Sequence, residues 1–402
     1  MKCCVISPYP PEECGIALYT SKLVAELIKH INIAILANNK NGLSNMSTES
    51  GVKIVRCWRR NNPLYPFQIM KGVLHEKPDV IHVQHEYLAY GVRKYAVLFP
   101  ALLCLLRLAG KPIIVTMHSV LPKKELTRRF FALHGVGYRL AFVKRAFAIL
   151  VTKLIGWLSH ATIVHNCFMK ATLISDYYFK KEKINVIHHG VDVPNPQIEE
   201  DKAKISLGLA GKKVVLFFGF IIPGKGLECL IKTFSMFLEE APNATLMIAG
   251  EYHPRLSKEN PSYMGTIERL INEKKLEKKV VFKNSFVPNE ELHAYIAAAD
   301  VIVLPYVDES IAGVSGALAT CALFNKPVIA TDIPRFAGEI KNGVNGILVK
   351  PKDEEQLRNA MTALMRDEDL RKKLGKNLRT SFLKRTWDKI ALTTLQIYGL
   401  DT

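Results

Sequence analysis

The chain has 402 residues, 49% hydrophobic and 23% charged, a globular composition that excludes extensive disorder and exceeds the length of one typical domain. Lysine and arginine total 55 against 37 acids, a formal charge of +18 that fold stability does not require. Anionic substrates, an anionic membrane face or nucleic acid would each account for it.

The start, Met1-Lys2-Cys3-Cys4-Val5-Ile6-Ser7-Pro8, reaches a proline before a long apolar stretch develops, so it reads as a strand, Cys3–Ser7, and not as a signal peptide. The loop PYPPEECGIALYT follows, in which Gly15 would let the backbone approach a ligand just before an amphipathic helix over Leu18–Ile28. Strands are predicted at Ile31–Leu36, Val52–Cys57, Val80–Gln84 and Ile113–Met117. IHVQHEY brings His82, His85 and Glu86 to the end of one of these, and His118 ends another. The longest apolar run, Tyr95 to Leu106, stops at Arg107, well short of the roughly 18 residues a membrane span needs.

Residues 123–160 carry Lys123, Lys124, Arg128, Arg129, Arg139, Lys144, Arg145 and Lys153 against the single acid Glu125. Val143, Phe147, Leu150 and Leu154 are expected to share one helix face, giving either a basic amphipathic helix for an anionic membrane or a core helix with a solvated basic side. No recognised nucleic-acid module accompanies the charge, and nucleic acid is not an expected partner. Strands at Ala161–Val164 and Ile184–Ile187 close the first half, and Asp192 to Gly211, with Pro194, Pro196 and many charges, reads as a linker.

The alternation then restarts with Val214–Gly219, a helix from Leu227, and strands at Ala244–Ala249, Val280–Phe282, Val301–Pro305, Pro327–Thr331 and Gly346–Val349. Two successive parallel α/β domains follow, with ligands expected at the carboxyl ends of strands. Gly219 to Gly226, GFIIPGKG, is either a phosphate cradle with Lys225 as a point charge or a plain tight turn. In DESIAGVSGALATCALFNKPVIAT, Asp308 and Glu309 follow a strand, and Ser315-Gly316 opens a helix running to about Phe324. Ser315 is either a second anion cradle or an ordinary cap. The eight cysteines form no C-x-x-C pair and no zinc spacing, so a reduced, cytoplasmic chain with no bound metal and no cofactor is expected.

In their order along nearly the whole chain, PPEECGIALYT, VIHVQHEY, TMHSVLP, VIHHGVD, FFGFIIPGKGLECLIKTF, VVFKNSFVPNEELHAYIAAADVIVLPY and SGALATCALFNKPVIAT resemble glycosyltransferase family 4. That resemblance implies the GT-B fold, two Rossmann-like domains whose parallel sheets face an interdomain cleft. It implies an acceptor-binding domain over 1–192, a nucleotide-sugar-binding domain over 193–380, and a terminal helix within 381–402 returning to the first domain. It implies retaining transfer of a sugar from a nucleotide diphosphate to a glycan or lipid-linked acceptor; from the cysteines and the basic segment 123–160, the expected location is the cytoplasm or the inner membrane surface. By the same resemblance, Gly15 lies against the donor, His118 meets the donor sugar, and Gly219, Lys225, Ser315 and Gly316 hold the diphosphate. Phe286 and Val287 border the base, Glu309 contacts sugar hydroxyls, and His85 and Glu86 stand on the acceptor side. The family's two glutamates, eight positions apart, are Ala312 and Thr320 here, and the arginine common in the phosphate loop is replaced by Phe220 and Ile222. These departures leave two alternatives: a sugar phosphorylase or nucleotide-sugar epimerase on the same fold, or a catalytically impaired basic scaffold.

Overall fold

The computed structural model describes residues 1–12, 14–40, 42–87, 89–91, 93–133, 141–193, 198–252, 260–307 and 312–400. The chain forms two units. Unit 1 comprises Met1–Gly190, Ser310–Val314 and Arg385–Thr402; unit 2 comprises Val191–Glu309 and Ser315–Lys384. Both expected parallel-sheet domains are present.

Unit 1 is built on an eight-stranded sheet. Its strands are β1 Lys2–Ile6, β2 Asn32–Asn38, β3 Met46–Glu49, β4 Val52–Trp58, β5 Val80–His85, β6 Ile113–Met117, β8 Ala161–Val164 and β9 Ile184–Val186, in the order β3-β4-β2-β1-β5-β6-β8-β9. All pairs are parallel except β3 with β4. The near-continuous apolar runs reflect burial on both faces. Cys4, Ile6, Ile81, Val83, Ile113 and Val115 point to one core, while Cys3, Val5, Val80 and Ile114 point to the other. On the first side pack α2 Tyr65–Glu76, α3 Phe99–Leu108, α5 Ala141–Leu158 and α6 Cys167–Tyr177. On the second pack α1 Gly15–Leu27 and the terminal helix Trp387–Ile397. The terminal helix buries Trp387, Ile390 and Leu395 against α1, each worth roughly 1.5–3 kcal/mol. Gly190 makes this possible, because a Cβ there would lie 2.4 Å from the Trp387 ring. A two-residue strand, β7 Ser119–Val120, pairs antiparallel with β14 Ala312–Gly313.

In the helices one pair of alternatives is narrowed and one expectation is corrected. The buried face of α5 is Val151, Thr152, Ile155 and Leu158, with Phe147 and Leu154 at its margin; Val143 and Leu150 are exposed. The helix has apolar side chains on two faces, and the core takes the other one. Arg139 lies outside the described residues. The supposed linker is also partly structured, since α7 Glu200–Ser206 belongs to unit 2. Its Lys204 Nζ sits 2.8 Å from Asp300 Oδ2 and 2.7 Å from Glu200 Oε1, and Lys326 Nζ sits 2.6 Å from Glu200 Oε2. Of the charges that suggested a linker, Glu200 and Lys204 belong to a packed ion network while Glu199 and Lys202 pair at the surface; Pro194 and Pro196 lie outside the described residues.

Unit 2 holds a six-stranded, all-parallel sheet of β10 Lys213–Phe218, β11 Ala244–Ala249, β12 Val280–Lys283, β13 Val301–Leu304, β15 Val328–Thr331 and β16 Ile347–Val349. The order β12-β11-β10-β13-β15-β16 reverses between β10 and β13. In unit 1 the order reverses between β1 and β5. Loops leaving the carboxyl ends at such reversals diverge to opposite faces and leave a crevice. Among the described residues, no helix is long and apolar enough to cross a membrane.

Candidate functional site

At the reversal in unit 2, β10 runs through GFIIPGKG into α8 Leu227–Phe237. Gly219 adopts φ +106° and Gly226 φ +72°, conformations that disfavour any side chain. A Cβ on Gly226 would lie 1.9 Å from the Pro305 carbonyl oxygen, so this glycine lets the loop lie directly on the segment leaving β13. Val307 N donates to Gly224 O at 2.8 Å, closing the contact. On the other flank, Ile221 N donates to Glu251 O at 2.8 Å and Tyr252 N to Asn284 Oδ1 at 3.2 Å. The loops after β10, β11, β12 and β13 are thus stitched side by side. Gly226→Ala should lower the stability of unit 2 by about 3 kcal/mol, from the positive φ together with the clash. Denaturant titration checks this, and an unchanged midpoint would remove the steric argument.

Lys225 folds back over the loop, its Nζ 3.2 Å from where a Gly219 Cβ would be and 5.3 Å from the Tyr306 ring centroid. Tyr306 is held by Thr331 Oγ1 donating to its carbonyl at 2.6 Å and by its ring against Phe336. No carboxylate among the described residues pairs with Lys225. A half-buried ammonium on an aromatic face, with no acid beside it among the described residues, suits an anion.

The segment after β13 also carries Ser315, whose buried hydroxyl caps the Gly316–Cys321 helix by accepting from Leu318 N at 3.2 Å. That helix is shorter than expected. The chain leaves it in turns, with Asn325 at φ +58° ahead of Lys326-Pro327. The space beside Gly316 is open. Thr320, in the position where a family glutamate would stand, donates its hydroxyl to Gly316 O at 2.9 Å, back into its own helix. Phe286 is exposed and Val287 half-buried just beyond β12, on the same sheet edge as Lys225. Asp308 and Glu309 lie outside the described residues.

In unit 1, Gly15 starts α1 beside the sheet reversal, with nothing within 4 Å of an added Cβ. His118 follows β6 directly and is the hub of a polar array that sequence reading only partly foresaw. Its Nδ1 is 3.2 Å from His165 Nε2 and its Nε2 is 2.8 Å from the Gln84 side-chain amide. Its ring stands edge-on to Tyr19 at 4.7 Å, and Tyr19 also touches His165, His189 and Trp387. Burial, then the imidazoles of His165, His189, His85 and His82, hold the His118 pKa well below the usual histidine value.

The neutral tautomers follow from a single fixed point. His165 Nδ1 faces the Ile187 carbonyl at 3.0 Å, and a carbonyl only accepts, so Nδ1 carries the hydrogen. His165 Nε2 is then an acceptor, His118 Nδ1–H donates to it, and His118 Nε2 holds a lone pair. Gln84 must therefore turn its NH2 to His118 and its oxygen to His82 Nε2, 3.2 Å from the other end of the amide. His82 Nδ1 finally accepts from Tyr398 OH at 2.5 Å. The array fixes His118 as a neutral, oriented imidazole.

His85 belongs to the opposite face of β5, since side chains alternate along a strand. It is buried against Phe99, with ring centroids 4.4 Å apart and Nδ1 lacking a hydrogen-bond partner, and burial pushes its pKa down to about 3. Glu86 is half-buried, accepting from Ser119 Oγ at 2.5 Å and from Tyr87 N at 3.0 Å. Tyr19, His165, His189 and Trp387 were not foreseen as site residues. The strand-end rule, applied to β8, would have found His165. Among the described residues, no three His, Cys, Asp or Glu side chains are grouped to hold a metal ion.

Two family profiles match in tandem: Glycosyltransferase Family 4 over residues 14–194 and Glycosyl transferases group 1 over residues 198–381. An uncharacterized glycosyltransferase of Methanocaldococcus jannaschii is 29% identical over 239 residues, 58% of each chain. A D-inositol 3-phosphate glycosyltransferase of Corynebacterium efficiens is 27% identical over 57% of this chain and 54% of its own. The chain thus spans little more than half the length of these curated relatives. In fold, it is similar to sucrose-phosphate synthase from Thermosynechococcus elongatus, with a TM-score of 0.79, 20% identity and coverage of 99% and 98%. It is also similar to Anabaena HepE in complex with UDP and glucose, with a TM-score of 0.74, 16% identity and 99% of both chains covered.

Proposed function

Since the chain belongs to the glycosyltransferases of the group 1 and family 4 type, we propose that it transfers a hexose from a nucleoside diphosphate to an acceptor hydroxyl with retention of anomeric configuration. The observation that carries this reading is Lys225, an ammonium with no acid partner among the described residues, poised on Tyr306 at the sheet reversal of unit 2. A diphosphate supplies the missing negative charge. UDP in the complex of the Anabaena protein supports a nucleotide donor of this kind.

In the reaction, the bond between the sugar anomeric carbon and the β-phosphate oxygen breaks, and a bond from that carbon to the acceptor oxygen forms on the same face. The hydroxyl proton passes to the departing phosphate oxygen, so no separate base is required. Lys225 and the backbone N–H groups of the Gly219–Gly226 loop and of Gly316 stabilise the growing charge on the leaving group. Neutral His118 and Glu309 orient the sugar, Thr320 borders the ribose, and Phe286 and Val287 border the base. Gly15 leaves room for the donor, and Glu86 lines the acceptor side, while His85, buried against Phe99, belongs to the core beneath it. The acceptor is a glycan or a lipid-linked hydroxyl compound in the cytoplasm, with residues 123–160 near an anionic membrane face.

A panel of UDP- and GDP-hexoses, assayed for nucleoside diphosphate release with and without acceptor, tests the reading, with product configuration read by proton coupling. We expect acceptor-dependent release and a retained anomeric centre. Inverted product, or a product formed from donor alone, would overturn the mechanism. The spent hydroxyl of Thr320 favours one second reading, a binding protein without turnover. Calorimetric nucleotide binding without transfer to any acceptor would identify it.

A further inference from the structure

The helices α2, α3 and α5 lie side by side over one face of the unit 1 sheet, α3 packing against both others. Their inner faces fill the core. Their outer faces are unusually apolar. On α2 the outer stripe is Leu64, Phe67, Lys71 and Leu74, at helical spacing, with Phe67 62% exposed. On α3 it ends at Leu108, 79% exposed, and on α5 it holds Phe142 at 81%, Val143, Leu150 and Trp157 at 74%. Between α2 and α3 opens a groove of about 490 Å³, lined by Pro63, Pro66, Phe67, Leu98, Cys104 and Leu108 among others, with almost no polar surface. A groove of that size would accommodate a small ligand, but a sugar or nucleotide needs convergent polar groups to orient it, and this lining offers none. Hydrocarbon is what fits.

The charge around this surface has one sign. The three helices carry Lys71, Arg107, Lys144, Arg145 and Lys153, and their one acid, Glu76, is buried and paired with Lys2 and Lys53 at 2.8 and 2.7 Å. A second copy docking through the same face about a two-fold axis would set bases against bases. We propose that the α2–α3–α5 face of unit 1 seats on an anionic lipid bilayer, with Phe142, Leu150 and Trp157 entering the interface, the groove taking a lipid hydrocarbon chain, and the basic side chains meeting lipid phosphates. Exposed apolar patches rimmed by charge mark such surfaces, and tryptophan favours the headgroup level. None of the side chains given a donor or acceptor role belongs to this surface, so membrane seating does not depend on the transfer reaction.

Flotation of the full chain with equimolar phosphatidylglycerol–phosphatidylcholine vesicles tests this directly. The protein should float with anionic vesicles at low salt, stay behind with pure phosphatidylcholine, and be released at high salt. Replacing Lys71, Arg145 and Lys153 together by glutamine should weaken binding by about 100-fold, at roughly five-fold per base. Leu150→Ser with Trp157→Ser, and separately Phe67→Ser with Leu108→Ser, should each weaken it by ten-fold or more. All seven positions are solvent-exposed, so melting temperature and nucleotide binding should be unchanged, and these readouts separate a failed surface from a failed transferase. No flotation at low salt, equal flotation with neutral vesicles, or binding indifferent to the variants overturns the proposal. So does a stable dimer that the serine variants dissolve, because it would make the face a contact between copies.

Discussion

Lys225→Ala should lower kcat/KM by a factor of about 10²–10³, the loss typical of removing one preorganised stabiliser of a developing anion. The size of the effect follows from the surroundings of the ammonium. Lys225 is half-buried and stands over Tyr306, and no carboxylate among the described residues competes for it. That charge suits a bound diphosphate, whose phosphate oxygens gain most from it when the glycosidic bond is breaking. The fold should barely notice the change, because Lys225 makes no ion pair among the described residues and its loop is fixed by Gly226 against Pro305 and by Val307 N on Gly224 O. Lys225→Met, which keeps the stem over the ring, should be as impaired as alanine, and nucleoside diphosphate affinity should fall in both by calorimetry. Turnover within two-fold of wild type in either variant would remove Lys225 from the site and, with it, the observation on which the functional reading rests.

How much of this was legible in the sequence depended on whether a signal was local. The buried parallel strands were plain: VVLFF has no polar residue and ATLMIA only the buried Thr245, because both faces are covered, and β6, β8 and β11 were delimited to the residue. The edge strand β3, Met-Ser-Thr-Glu, was missed because an edge strand with exposed faces has no apolar alternation to detect. The Gly219–Gly226 loop was readable since the dihedral demands of Gly219 and Gly226 are written in the residue type. The His118 array was not readable as a whole. It joins Tyr19, Gln84, His118, His165, His189 and Trp387 from six separate stretches, and only the strand order brings them together. The buried face of α5 escaped for a different reason. A helix apolar on two sides carries no information about which side the core will choose, and the sequence reading left the Val143–Leu154 face open between surface and core.

Unit 1 should lose stability steeply between pH 7 and pH 5, well before ordinary acid denaturation. His82 and His85 are buried, at 0% and 2% exposure, and burial pushes the pKa of each down to about 3, against about 6.5 in an unfolded chain. The unfolded state therefore binds protons that the folded state refuses. The stabilisation is complete above pH 6.5 and is lost progressively as pH falls towards 3. At pH 5 the cost is about 2 kcal/mol for each imidazole and about 4 kcal/mol for the two, against roughly 5–15 kcal/mol for a whole domain. His118 shifts in the same direction and adds to the loss. The three tryptophans of the chain, Trp58, Trp157 and Trp387, all lie in unit 1, so indole fluorescence during denaturant titration isolates this half of the molecule. The midpoint should fall as the pH is lowered from 7 to 5. His85→Leu should recover about 2 kcal/mol of that fall, since its ring packs on Phe99 and its Nδ1 has no partner to lose. A midpoint independent of pH over this interval, or an unchanged slope in His85→Leu, would show that these imidazoles titrate normally and that burial does not govern their charge.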